Sequence, residues 1–237
     1  MSNSIRNIQE VLKAKGFDPG ALDGIWGRNT IAALKGFQVA NKLPADGLLG
    51  PATRNLLFTT AAGAVGPAVA SSDVLLPWFE EARHLFGLKE GPGAIDNPTI
   101  LDWATNLELH YASDDVPWCG LFVAHCVGST LPQEALPGNP LGARQWQTFG
   151  DAVTPRTGAI MVFWRESRAS GKGHVGFYVG EDDSAFQILG GNQSDSVSLA
   201  WIAKDRLLDS RWPKTASLLV TTAVRRGRNQ GLSSNEA

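Results

Sequence analysis

The eight-residue pattern D-G-x-x-G-x-x-T occurs twice near the start of the chain, as DGIWGRNT at 23–30 and DGLLGPAT at 46–53. Each Asp-Gly pair favours a tight turn, the second Gly permits close backbone approach, and the following residues begin a helix. Turns repeated at an interval of 23 residues therefore divide this part of the chain into short helices. Helical periodicity agrees, with Ile5, Ile8 and Leu12 on one stripe and Ile31, Leu34 and Phe37 on another. Pro51 suits a first helical position. The expectation is a small three-helix unit over 1–58. On the residues alone it fits a structural bundle as readily as a binding module.

Residues 5–57 resemble the peptidoglycan-binding domain 1 family, a three-helix cell-wall anchor. The resemblance runs through Gln9, Leu12, Gly16, Phe17, Asp23-Gly24, Gly27, Thr30, Ala33, Phe37-Gln38, Asp46-Gly47, Gly50 and Thr53. It implies that the module holds the protein on bacterial peptidoglycan. Most of the matched positions belong to turns and core, so the motif does not mark the residues that touch the wall.

The next stretch, TTAAGAVGPAVASSD at 59–73, has small residues, Gly and Pro, and no charge before Asp73. It reads as a linker, because Gly63, Gly66 and Pro67 disfavour a buried apolar helix. A catalytic domain is then expected over 74–226 and a flexible polar tail over 227–237. Two domains suit a length of 237 residues. A hydrophobic fraction of 43% and eight tryptophans exclude a disordered chain. The balance of 21 Lys+Arg against 23 Asp+Glu argues against nucleic acid or an anionic surface as partner. The amphipathic N-terminus lacks the apolar run of a signal peptide, and no stretch is long enough to insert in a membrane. Synthesis in the cytoplasm and release by another agent are expected.

In the second domain, WFEEARHLFG, a start at Asn97-Pro98, and CGLFVAHCV read as helices, the last introduced by Asp114 or Asp115 with Pro117. Beyond residue 157 the pattern turns strand-like in GAIMVFW, HVGFYVG and AFQILGGNQ, with SLLVTTAV a further candidate. Helices followed by strands predict an α+β domain with an antiparallel sheet. Two cysteines seven apart on one helix lie about 10 Å apart, too far for a disulfide. Cys119 falls in the first helical turn, where unpaired N–H groups and the helix dipole are expected to lower a thiol pKa. His174 opens a strand and supplies a candidate base, and Asn192 a group to orient it. Cys126 reads as core, and His84, His110 and His125 sit within helical or pre-helical segments and are not expected to take a catalytic role. A zinc site from Cys119, Cys126 and a histidine lacks paired-ligand spacing.

From about 78 to 213 the chain resembles a phage-associated branch of the NlpC/P60 and CHAP cysteine peptidases, which are papain-like. The resemblance lies in FGLKEGPGAIDNPTI, DDVPWCGLFVAHCV, ARQWQTFG, TGAIMVFWR, GHVGFYVG, ILGGNQSDSV and RWP. It implies hydrolysis of amide bonds in peptidoglycan peptides, with Cys119 as nucleophile, His174 as base and Asn192 as the polar third member. Gly190 stands where some CHAP enzymes carry Glu, which leaves Gln193 as a competitor for that third role. Glu90, Asp115, Trp118 and Trp146 fall in the similar stretches and are expected near the cleft: Asp115 as an amine-recognising group or a helix cap, the two tryptophans as groove or core. The expected protein is a monomeric, cofactor-free and metal-free endolysin-type hydrolase, freed by a holin. A secretion-delivered effector with the same chemistry is an alternative, as are a wall-remodelling enzyme and a non-catalytic virion protein.

Overall fold

The computed structural model describes residues 5–24, 26–47, 49–58, 76–93, 95–131, 133–216, 224–228 and 231–233. The chain divides into two compact units, Met1–His84 with Ser129–Leu131, and Leu85–Gly128 with Pro132–Ala237. The expected linker at 59–73 lies outside the described residues, and so does most of SLLVTTAV.

The first unit contains α1 (Ile5–Ala14), α2 (Arg28–Ala40), α3 (Pro51–Phe58) and α4 (Pro77–His84). Ile8, Leu12, Trp26, Ile31, Leu34, Phe37, Leu49 and Leu57 form the core of the three-helix part. Phe17 meets Phe37 edge to face at 5.6 Å. The repeat has a physical reason that its consensus hides. Gln9, on α1, donates to Asp23 Oδ1 at 2.9 Å and Thr30 Oγ1 at 3.0 Å, and accepts from the Gly24 N–H at 2.9 Å. Gln38, on α2, repeats this with Asp46 Oδ1 at 2.7 Å, Thr53 Oγ1 at 3.2 Å and the Gly47 N–H at 2.8 Å. Both glutamines are 1% exposed, so each needs these partners. The two glycines sit at φ 80° and 75°, in the left-handed region that turns each N–H toward its glutamine.

The second unit holds α5 (Pro98–Asn106), nearly all of α6 (Cys119–Thr130) and a six-stranded sheet. The strands are β1 (Asp151–Ala152), β2 (Ile160–Trp164), β3 (Gly173–Glu181), β4 (Ala185–Gly190), β5 (Ser198–Ala203) and β6 (Leu207–Trp212). Their order is β1-β6-β2-β3-β4-β5, with every neighbouring pair antiparallel. Helices before an antiparallel sheet bear out the α+β expectation. Three strands go beyond it, β1, β5 and β6, and β6 runs between β1 and β2. The helix over 98–106 starts as its sequence suggests, with Asn97 Oδ1 capping the Thr99 N–H at 2.9 Å. Asp114 does not introduce α6; its carboxylate accepts from the Gly91 and Asn97 N–H groups at 2.9 and 2.8 Å. In the polar tail, the Ser233 N–H donates to the Trp201 carbonyl at 2.8 Å. No helix among the described residues is long and apolar enough to cross a membrane.

Candidate functional site

Cys119 is the first residue of α6, and His174 is the second residue of β3. The two elements bring these residues together: the N–H of Val175, one residue along from His174, reaches the Cys119 sulfur. Gly120 lets a neighbouring segment close on the helix start, since a Cβ there would stand 2.4 Å from the Leu141 carbonyl oxygen. A cleft of about 510 Å³ opens beside the thiol, lined by Pro117, Cys119, Leu141–Gln145, Arg165 and Gly171–Gly173.

Burial pushes the Cys119 thiol above its ordinary value, against the N–H groups of Val175, Gly120 and Cys119 itself and the charge of Arg165. The lowered pKa expected from a helix start is therefore overturned. At 3% exposure, loss of hydration of the thiolate outweighs the N–H groups and the helix dipole.

The side chain bonded to the His174 ring is that of Gln193, with Oε1 at 3.1 Å from Nε2. Its amide can face only one way, because its Nε2 donates to the Ser198 carbonyl. The oxygen thus faces the ring, Nε2 of His174 carries the hydrogen, and Nδ1 holds the basic lone pair. Of the two candidates for the third role, Gln193 has its side chain on the His174 ring. Asn192 adopts a left-handed backbone at φ 54° in the turn after β4. The glycine at 190 has a reason as well: a Cβ there would stand 2.8 Å from Gln193 Oε1 and 3.0 Å from His174 Nε2. The space a longer residue would take is filled by Gln193.

The remaining predicted site residues separate from the cleft. Trp118 is fully buried, and its indole N–H donates to Glu90 at 2.6 Å. Burial raises the Glu90 pKa, opposed by that hydrogen bond. Trp146 is also fully buried, donates to the Pro140 carbonyl at 2.9 Å and packs on Phe149. Neither tryptophan lines the groove, because both indoles fill core and spend their N–H groups there. Asp115 is exposed, its N–H directed to Ser113 Oγ, and it is not a lining residue of the cleft. Cys126 is buried as expected. His125 stacks on Trp103 at 4.8 Å. Sequence reasoning missed Arg144 and Arg165 as cleft residues; the only signal was their position in the stretches ARQW and VFWR.

Residues 1–57 match the family model described as "Putative peptidoglycan binding domain". This bears out the resemblance of the N-terminal unit and makes peptidoglycan its partner, associating the protein with the cell wall. Neither the search of curated proteins nor that of solved structures gave a match.

Proposed function

We propose that the protein is a peptidoglycan amide hydrolase that acts through the Cys119 thiol, with its N-terminal domain holding it on the substrate. The observations that support this reading are the Cys119 thiol beside an open cleft, the Val175 N–H that reaches its sulfur, and the bond between Gln193 and the ring of the adjacent His174. Nδ1 of His174 takes the thiol proton as sulfur attacks the peptide carbonyl. The N–H of Cys119 and its neighbours are suited to stabilise the oxyanion, an effect commonly of about 3 kcal/mol. The C–N bond then breaks, His174 returns the proton to the departing amine, and a thioester remains. Water attacks the thioester, His174 takes a water proton, and thiol and carboxylate are released. The papain-like NlpC/P60 and CHAP resemblance of 78–213 supports the same order of events.

Wall binding joined to amide hydrolysis suits an endolysin-type role, in which the enzyme made in the host cytoplasm reaches the wall after a holin opens the membrane. The test is clearing of purified sacculi. Cys119→Ala and His174→Ala are each expected to reduce it by about 10³-fold or more. Clearing by Cys119→Ala at the wild-type rate overturns the role of the thiol, and no clearing by the wild type favours a non-catalytic wall-binding protein. Mass spectrometry of the released muropeptides identifies the bond cut.

A further inference from the structure

Three segments distant in sequence meet around the thiol: the start of α6, the start of β3, and the stretch 140–145 that leads into the 3-10 helix Ala143–Thr148. The last of these touches the other two at glycines. A Cβ on Gly120, next to Cys119, would stand 2.5 Å from the Pro140 carbonyl oxygen. One on Gly173, next to His174, would stand 2.9 Å from Arg144 Cγ. The stretch therefore lies against the backbone beside each member of the proposed pair.

Arg144 extends this contact beyond its stem. Its guanidinium donates to three carbonyls of the loop joining β2 to β3: Nε to Lys172 at 2.8 Å, Nη1 to Arg168 at 2.8 Å and Nη2 to Ser167 at 3.1 Å. The Lys172 carbonyl also accepts from the Arg165 N–H at 3.1 Å, which closes the loop at its base. Lys172 is two residues before His174, so Arg144 grips the backbone just ahead of the imidazole. The loop has ties of its own, from Ser170 Oγ to the Arg165 carbonyl at 2.7 Å and between Lys172 and Glu166 at 2.6 Å. Those ties order the loop internally, whereas Arg144 joins it to the far wall of the cleft.

We infer that Arg144 is a positioning residue for the proposed hydrolysis: it holds 172–174 against the stretch seated on Gly120, so that the His174 ring meets the Cys119 thiol. The inference rests on the reading of Cys119 and His174 given above. Three nitrogens of one rigid plane fix the relative places of three carbonyls, which a point charge on a flexible stem does not. Because each nitrogen is turned to a backbone carbonyl, the effect falls on geometry and not on the hold on substrate. Misplacement of a reacting group by about 1 Å costs roughly 10²-fold in rate.

Turnover of soluble muropeptides by the full-length chain tests this, with kcat and KM measured separately and rates referred to the folded fraction from a denaturant titration. Arg144→Gln is expected to lower kcat by about 10²-fold and to leave KM within about twofold. Arg144→Lys, which keeps the charge and the stem over Gly173, is expected to fall likewise, and it carries the test if Arg144→Gln does not fold. Glu166→Gln breaks the ion pair of the loop and leaves the Arg144 bonds in place, so it is expected to keep the wild-type kcat. A raised KM at constant kcat makes Arg144 a substrate contact and overturns the positioning role. Wild-type kcat in Arg144→Lys overturns it as well, since charge alone then suffices. An equal loss in Glu166→Gln assigns the effect to loop order and does the same. Wild type and Cys119→Ala are followed in parallel. Thiol-dependent cleavage with wild-type kcat in the Arg144 variants removes the positioning role and leaves the hydrolase. Cleavage that persists in Cys119→Ala, or none by the wild type, removes both.

Discussion

Each unit of the molecule buries glutamine amides, and the partners of those amides distinguish a lock from a site. Gln9 and Gln38 reach Asp and Thr side chains and a glycine N–H. Their work ends when the turns are closed. Gln193 is 2% exposed and just as fully engaged, but its oxygen meets an imidazole. The same amide that fixes a turn in the first unit fixes a tautomer in the second. The partner of the amide, an imidazole in one unit and turn groups in the other, sets the two apart.

The largest effect that sharpens this contrast is expected at Gln193. Gln193→Leu should lower sacculus clearing by roughly 10²-fold, because the His174 ring loses the group that orients it. A Gln193→Leu enzyme of unchanged rate breaks the comparison and reduces Gln193 to a third lock. Next comes the pH dependence of the thiol. Since burial raises the Cys119 thiol pKa, its alkylation by iodoacetamide should climb by about tenfold per pH unit and level off only above the ordinary thiol value of about 8.5. A plateau already reached in mildly acidic solution reveals a preformed thiolate–imidazolium pair and overturns the proton-transfer step.

Deletion of 1–58 should weaken sacculus pull-down while sparing cleavage of a small muropeptide; unchanged pull-down removes the anchoring role. A smaller change is expected from Gln38→Leu. The Gly47 N–H and Asp46 lose their partner, lowering the stability of the first unit by about 1–3 kcal/mol in a denaturant titration. Muropeptide cleavage should remain at the wild-type rate, and a parallel fall in it shows that the lock also serves the chemistry. The smallest effect belongs to Asp96, which the Asp114 N–H holds below the usual carboxylate range. A lowered folded pKa adds stability above the unfolded value near 3.9, and this is lost as pH falls through the folded value. Asp96→Asn should therefore lower Tm slightly at about pH 7 and leave it unchanged at about pH 2.

Much of this was legible in the chain, for reasons that are local. The strands β2, β3 and β4 announce themselves in IMVFW, HVGFYVG and AFQILG through apolar runs bounded by turn residues. The strands β5 and β6 do not, because SLAWIA and LLDSRW are joined only by the short 3-10 turn Lys204–Arg206, without Gly or Pro to punctuate them. Placing Cys119 at a helix start and His174 near a strand start needed only sequence pattern. Choosing between Asn192 and Gln193 did not lie within its reach. They are neighbours in a turn with a left-handed backbone at 192, and only the packed structure puts the Gln193 side chain on the ring.

The tryptophans make the same point. A Trp in a matching stretch fits a groove or a core equally well, and only tertiary packing shows Trp118 on Glu90 and Trp146 on the Pro140 carbonyl.

The sequence by itself determined the doubled Asp-Gly turns, the peptidoglycan-binding character of 1–57, the α+β class of the second unit, and the candidate pair Cys119 and His174. These depend on patterns a few residues long, which local sterics and periodicity enforce. Tertiary structure alone decided that Gln9 and Gln38 close those turns, that Gln193 bonds the His174 ring, that burial raises the Cys119 thiol pKa and that Arg165 lines its cleft. Each of those depends on burial and on groups distant in sequence, and desolvation and hydrogen-bond direction exist only once the chain is packed.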